Sequence, residues 1–134
     1  MKTLNNNKED IVDLARLSPS GANLQPLKYA IITDESVRES MYPHIKYAGY
    51  IKDFNPTFAQ SPKAFIAIFC DTDILRADKC ECDAGIAMMA ITLLAQEKGL
   101  SSCMLGAIDR KALTEILAVK ENLSLVYLIG LGYT

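Results

Sequence analysis

Ser20, Asn23 and Gln25 are three polar side chains within an uncharged, turn-rich stretch, Pro19-Ser20-Gly21-Ala22-Asn23-Leu24-Gln25-Pro26. A carboxamide donates and accepts hydrogen bonds at once. Two of them with a hydroxyl therefore suit a flat ring whose edge mixes donors and acceptors, as a flavin's does. A second segment of this character is Cys103-Met104-Leu105-Gly106. It leaves an expected strand and leads to an expected helix, so its backbone N–H groups can point at a flat ligand, with Gly106 allowing close approach. Either loop alone also reads as an ordinary turn.

The remaining side chains offer little independent chemistry. His44 is the only histidine and stands in an aromatic-rich segment away from any candidate nucleophile, whereas a Ser/His/Asp or Cys/His hydrolase needs a histidine held by a third group. No G-x-x-x-x-G-K-[ST] loop is present, and residues 99–106 do not match G-x-G-x-x-G. Cys80-x-Cys82 lacks the further thiolates or histidines that zinc or an iron–sulfur cluster requires. No metal is expected, and no side chain is assigned a catalytic role. Chemistry in such a chain is most simply borrowed from an organic cofactor that the protein binds and orients.

The elements that must position these loops follow from pattern and punctuation. A helix is expected over 8–17 behind Asn7 as N-cap, ending at Ser18-Pro19 because the residue before a proline is pushed out of the helical region. A strand over 29–33 and a short helix over 35–41 come next. Residues 42–62, punctuated by proline and rich in aromatics, read as a long excursion of the kind that covers a site. The apolar run 65–70 reads as a central strand buried on both faces. A helix over 80–98 carries Ala84, Ala87, Met88, Ile91, Leu94 and Ala95 as its apolar face and stops at Gly99. A strand over 101–105, a helix over 110–117 capped by Asp109, and an apolar strand over 125–131 complete the chain. Strands alternating with helices argue for an α+β, α/β-like layered sheet in a single domain spanning 1–134.

The composition narrows the partners. Fourteen Lys and Arg face 16 Asp and Glu for a net charge of −2, without the basic patch of a nucleic-acid binder. The uncharged stretch 84–96 falls short of the roughly 20 apolar residues of a membrane span. No apolar leader is visible in residues 1–10, so a cytoplasmic protein with free thiols at Cys70, Cys80, Cys82 and Cys103 is expected. The small and apolar surface of loop 20–26 and helix 84–95 predicts a homodimer.

Three ordered motifs together resemble the FMN-dependent nitroreductase family. Leu14-Ala15-Arg16-Leu17-Ser18-Pro19-Ser20-Gly21-Ala22-Asn23-Leu24-Gln25-Pro26 is similar to that family's A-x-x-A-P-S-x-x-N-x-Q-P-W loop, with Leu27 in place of the usual tryptophan. Asp83-Ala84-Gly85-Ile86-Ala87 followed by Gly99-Leu100-Ser101-Ser102-Cys103-Met104-Leu105-Gly106-Ala107-Ile108-Asp109 is the second, and Ile129-Gly130-Leu131-Gly132-Tyr133 the third. The resemblance implies a nitroreductase-like fold, a central mixed β-sheet flanked by helices. It implies a homodimer with FMN at the subunit interface, NAD(P)H as co-substrate, and ping-pong hydride transfer to nitroaromatic, quinone or related acceptors. Carried over residue by residue, it assigns Pro19, Ser20, Asn23 and Gln25 to the flavin through the first loop, and Met104, Leu105 and Gly106 through the second.

The likeness is shortened at both ends. Family members open with an Arg-Arg-Ser-x-Arg cluster and run on past the last strand to a basic segment, whereas this chain begins with Asn5-Asn6-Asn7 and stops at Thr134. Phosphate recognition leans on charge-assisted contacts, so a weaker grip on the FMN phosphate and on the partner subunit is expected. The alternative function is a non-catalytic remnant acting as a flavin-binding or interaction module.

Overall fold

The computed structural model describes residues 4–133, with side chains from Lys8 onward. Helix α1 (Leu4–Ala15) leads to β1 (Leu27–Ile32) and α2 (Glu35–Met41), then through the excursion to β2 (Ala64–Asp71). The long α3 (Glu81–Glu97), β3 (Ser101–Leu105), α4 (Arg110–Leu117) and β4 (Leu123–Gly132) follow. Because α1 begins at Leu4, Asn7 lies inside the helix rather than capping it. The side chains of Asn5, Asn6 and Asn7, to which the shortened start was read, lie outside the described residues.

The four strands form one sheet in the order β1-β2-β4-β3. The resemblance implied a mixed sheet, and β2 and β3 do run the same way through a helical crossover. β4 inserts between them and runs against both, so every hydrogen-bonded pair is antiparallel. The layered α+β architecture stands: the inner strands β2 and β4 are covered on both faces, and Ala64 through Cys70 are all buried. Ile66, Ile68, Cys70, Ile129 and Leu131 face α1 and α3. Phe65, Ala67, Phe69, Leu125 and Leu128 face Met41 of α2 and Leu113 of α4.

Two details fix the loops that matter. The register shifts between Ile68 and Phe69, which pair with Tyr127 and Leu125 and leave Val126 as a bulge. The Val126 carbonyl accepts from Arg110 Nε at 3.1 Å and Nη2 at 2.7 Å, so a guanidinium holds the start of α4 against β4. Asp109 caps α4 as expected, accepting from Ala112 N–H at 3.1 Å.

The expectation of four free thiols is corrected in part. Cys70, at the end of β2, and Cys80, at the start of α3, form a disulfide with a Cα–Cα separation of 6.2 Å, inside the ordinary span for such a bond. The chain turns back over the intervening residues to lay α3 on the sheet, which brings two buried sulfurs together. Cys82 and Cys103 are free and exposed.

Candidate functional site

The first loop is held in an unusual backbone form. Ser20 is extended, and Ala22 (φ 49°), Asn23 (φ 54°) and Gln25 (φ 52°) all take left-handed conformations. Asn tolerates this region; Ala and Gln there cost roughly 1–3 kcal/mol each and persist only where the surroundings over-determine them. The surroundings are visible. Gln25 N–H donates to Ser20 Oγ at 2.9 Å, and Gln25 Nε2 donates to Asn23 Oδ1 at 3.0 Å. Asn23 N–H donates to Ser20 O at 3.0 Å, and Pro26 O accepts from Asp71 N–H at 2.8 Å, tying the loop to the end of β2. From below, Gly21 N–H donates to Asp83 Oδ1 at 2.9 Å.

Asp83 is the residue that sequence reasoning passed over. It is 5% exposed, and its Oδ2 is buried with no hydrogen-bond partner among the described residues. A signal was present: Asp83, Ala87, Ile91 and Ala95 recur every fourth residue, so the acid lies in line with the buried stripe of α3. A small cavity of about 30 Å³ opens beside it, lined by Arg16, Ser18, Ser20, Gln25, Tyr29 and Asp83. Burial raises the Tyr29 phenol above its usual pKa.

The second segment has a different setting. β3 is an edge strand in which Met104 is 57% exposed and Leu105 is buried. A Cβ on Gly106 would lie 3.2 Å from Tyr127 Cε1, so only glycine lets the chain pass this ring without pushing it. Beyond it the excursion is laced to the loop: Lys46 N–H donates to Ala107 O and Asp109 N–H to His44 O, each at 2.9 Å. Between excursion and loop lies an open cavity of about 940 Å³, walled by Tyr42, His44, Lys46, Lys52, Phe54 and Asp109 among others. His44 Nδ1 stands 3.9 Å from Asp109 Oδ2 in the wall of this cavity. The Tyr47 hydroxyl is buried with no hydrogen-bond partner among the described residues. Desolvation chiefly, with Tyr42 and Cys103 adding to it, pushes its pKa up to about 12.

The structure thus brings Pro19, Ser20, Asn23 and Gln25 together at the β1 edge and stands Met104, Leu105 and Gly106 at the β3 edge. Three inter-strand spacings of about 4.8 Å each separate those edges. The donor set fits a flavin ring. The loop presents the half-buried Ser20 hydroxyl and the exposed carboxamides of Asn23 and Gln25 in a preset backbone, and Gly106 lets the chain run close against the Tyr127 ring. Arg16, beside the same loop, is the neighbouring cation, though it also pairs with Asp13 at 2.8 Å.

Comparison with known proteins assigns this layered α+β domain to a family. The profile of the nitroreductase family matches residues 6–133, and the chain belongs to that family. A curated relative from Archaeoglobus fulgidus, provisionally named an NADH dehydrogenase/NAD(P)H nitroreductase, is 27% identical over 131 residues, 93% of this chain and 71% of that one. The nitroreductase family protein of Streptococcus pneumoniae superposes with a TM-score of 0.80 at 20% identity, covering 100% of this chain and 82% of that one. An FMN-dependent nitroreductase of Clostridium difficile gives 0.79 at 24% identity, covering 100% and 78%. Family membership supports an oxidoreductase role. Among the described residues no helix is long and apolar enough to cross a membrane.

Proposed function

We propose that this protein is an FMN-dependent NAD(P)H oxidoreductase of nitroreductase type, working as a homodimer with a flavin at each subunit interface. The observation that carries this reading is the division of the two ligand loops between opposite edges of one sheet. A second copy related by a two-fold axis would bring the β1-edge loop of one chain to the β3 edge of the other. The surface available for that contact is apolar: Ile86, Met89 and Leu93 face outward from α3, Met89 and Leu93 at 61% and 60% exposure. Such a patch on a small domain calls for cover.

In this reading Ser20, Asn23 and Gln25 of one copy direct hydrogen bonds at the ring edge, and the backbone of Met104, Leu105 and Gly106 of the other holds the opposite side. Bound FMN would supply two-electron hydride transfer from NAD(P)H to a nitroaromatic, quinone or related acceptor. The protein's own task is to orient and desolvate; none of its side chains need exchange a proton. The 940 Å³ cavity beneath the excursion is the space for the acceptor. The absorption spectrum of the purified protein tests the proposal. A yellow protein that NADPH or NADH bleaches supports it. A colourless one that ignores added FMN overturns it in favour of a non-catalytic interaction module.

A further inference from the structure

We infer that Asp83 is a positioning residue: from inside the core, its carboxylate holds the loop of residues 20–25 in the form that receives the flavin. The inference rests on the flavin reading for its purpose, but its physical basis stands separately. Asp83 Oδ1 accepts from Gly21 N–H, the residue that opens the turn in which Ala22 and Asn23 take positive φ. The anchor comes from α3, 62 residues away in sequence, so it is a tertiary clamp on a loop whose other ties are mostly local.

The arrangement is poor as mere stabilisation. A carboxylate 95% removed from solvent that satisfies one oxygen and, among the described residues, leaves the other without a partner carries a desolvation cost that a single hydrogen bond does not offset. Its place in the first turn of α3, where negative charge is favoured, lessens that cost without removing it. A group kept at the expense of stability, aimed at a strained loop, is the signature of a geometry retained for binding.

Two substitutions and two readouts decide it. Asp83→Ala should weaken FMN binding by roughly 10- to 150-fold, the fold-change of losing a hydrogen bond to a charged group, while the melting temperature stays level or rises. Asp83→Asn keeps an acceptor for Gly21 and should hold FMN affinity within about fivefold of the parent. Independently of any flavin, amide hydrogen exchange at Gly21, followed by NMR on the full chain, should quicken in Asp83→Ala and be restored in Asp83→Asn. Unchanged Gly21 exchange in Asp83→Ala overturns the inference, as does a fall in melting temperature with FMN affinity intact. If the parent protein ignores FMN, the flavin reading fails alone, and the exchange at Gly21 still decides whether Asp83 sets the loop.

Discussion

The loop before β1 and the loop after β3 are both short and both stand at sheet edges, yet they are built in opposite ways. Residues 20–25 are over-determined, with three positive-φ residues locked by hydrogen bonds inside the loop and one from the buried core. Residues 103–109 are open: an exposed edge strand, a glycine passing an aromatic ring, and a cavity roofed by an excursion that touches them through backbone contacts. The difference teaches a division of labour. Strain can be stored where the fold clamps it, and such a loop serves as a preset binding edge. The open edge gains its walls only when something covers it, and in the proposed dimer that cover is a second copy.

The largest expected effect follows from that pairing. Leu93→Asp sets a charge on the outward stripe of α3 and removes about 1.5–3 kcal/mol of apolar burial at each of two symmetry-related positions. The dimer should weaken by roughly two to four powers of ten, and FMN binding should be lost with it. Light scattering and flavin titration on the same samples check the link. A parent protein that is monomeric at tens of micromolar, or a monomeric variant that binds FMN normally, would break the comparison.

A smaller effect sharpens the locked side. Asn23→Ala removes a carboxamide and also forces alanine into a left-handed conformation, whereas Asn23→Gly removes the carboxamide and suits the backbone. If the amide meets the flavin, both should weaken FMN binding by about 5- to 150-fold. If Asn23 only shapes the turn through Gln25 Nε2, Asn23→Gly should bind FMN like the parent while Asn23→Ala melts lower.

The smallest effect lies on the open side. The Tyr47 phenol is neutral in the folded protein up to about pH 12 but ionises near pH 10 when unfolded. Its contribution to stability is therefore intact below pH 10 and is lost as pH rises from 10 towards 12. Tyr47→Phe should flatten that decline and leave stability at neutral pH unchanged or slightly higher, because the hydroxyl has no hydrogen-bond partner among the described residues. Denaturant melts across pH 7–12 check it.

What was legible in the sequence was local. Asp109 as a cap, Gly99 as a stop and the unbroken apolar run of β2 each act over a few residues, and the elements they mark formed where expected. The two ligand loops stood out for the same reason, through composition and motif. What the sequence hid is tertiary. The insertion of β4 between β2 and β3 depends on strands far apart in the chain. The Cys70–Cys80 disulfide depends on how α3 folds back, and compartment rules pointed the other way. Asp83 was written in the α3 stripe, but its meaning needs Gly21, which no spacing rule links to it.

The central claim, that each flavin site draws one loop from either copy, is tested most directly by complementation. Asn23→Ala damages the locked loop, and Gly106→Leu crowds Tyr127 on the open one. Alone, each should leave most of its sites empty at an FMN concentration near the parent's Kd. After the two are unfolded and refolded together, half the dimers are mixed, and each mixed dimer has one intact site of two. About a quarter of the parent's FMN capacity should then return. No recovery, with mixed dimers demonstrated in the sample, would contradict a shared site and confine the flavin to a single chain.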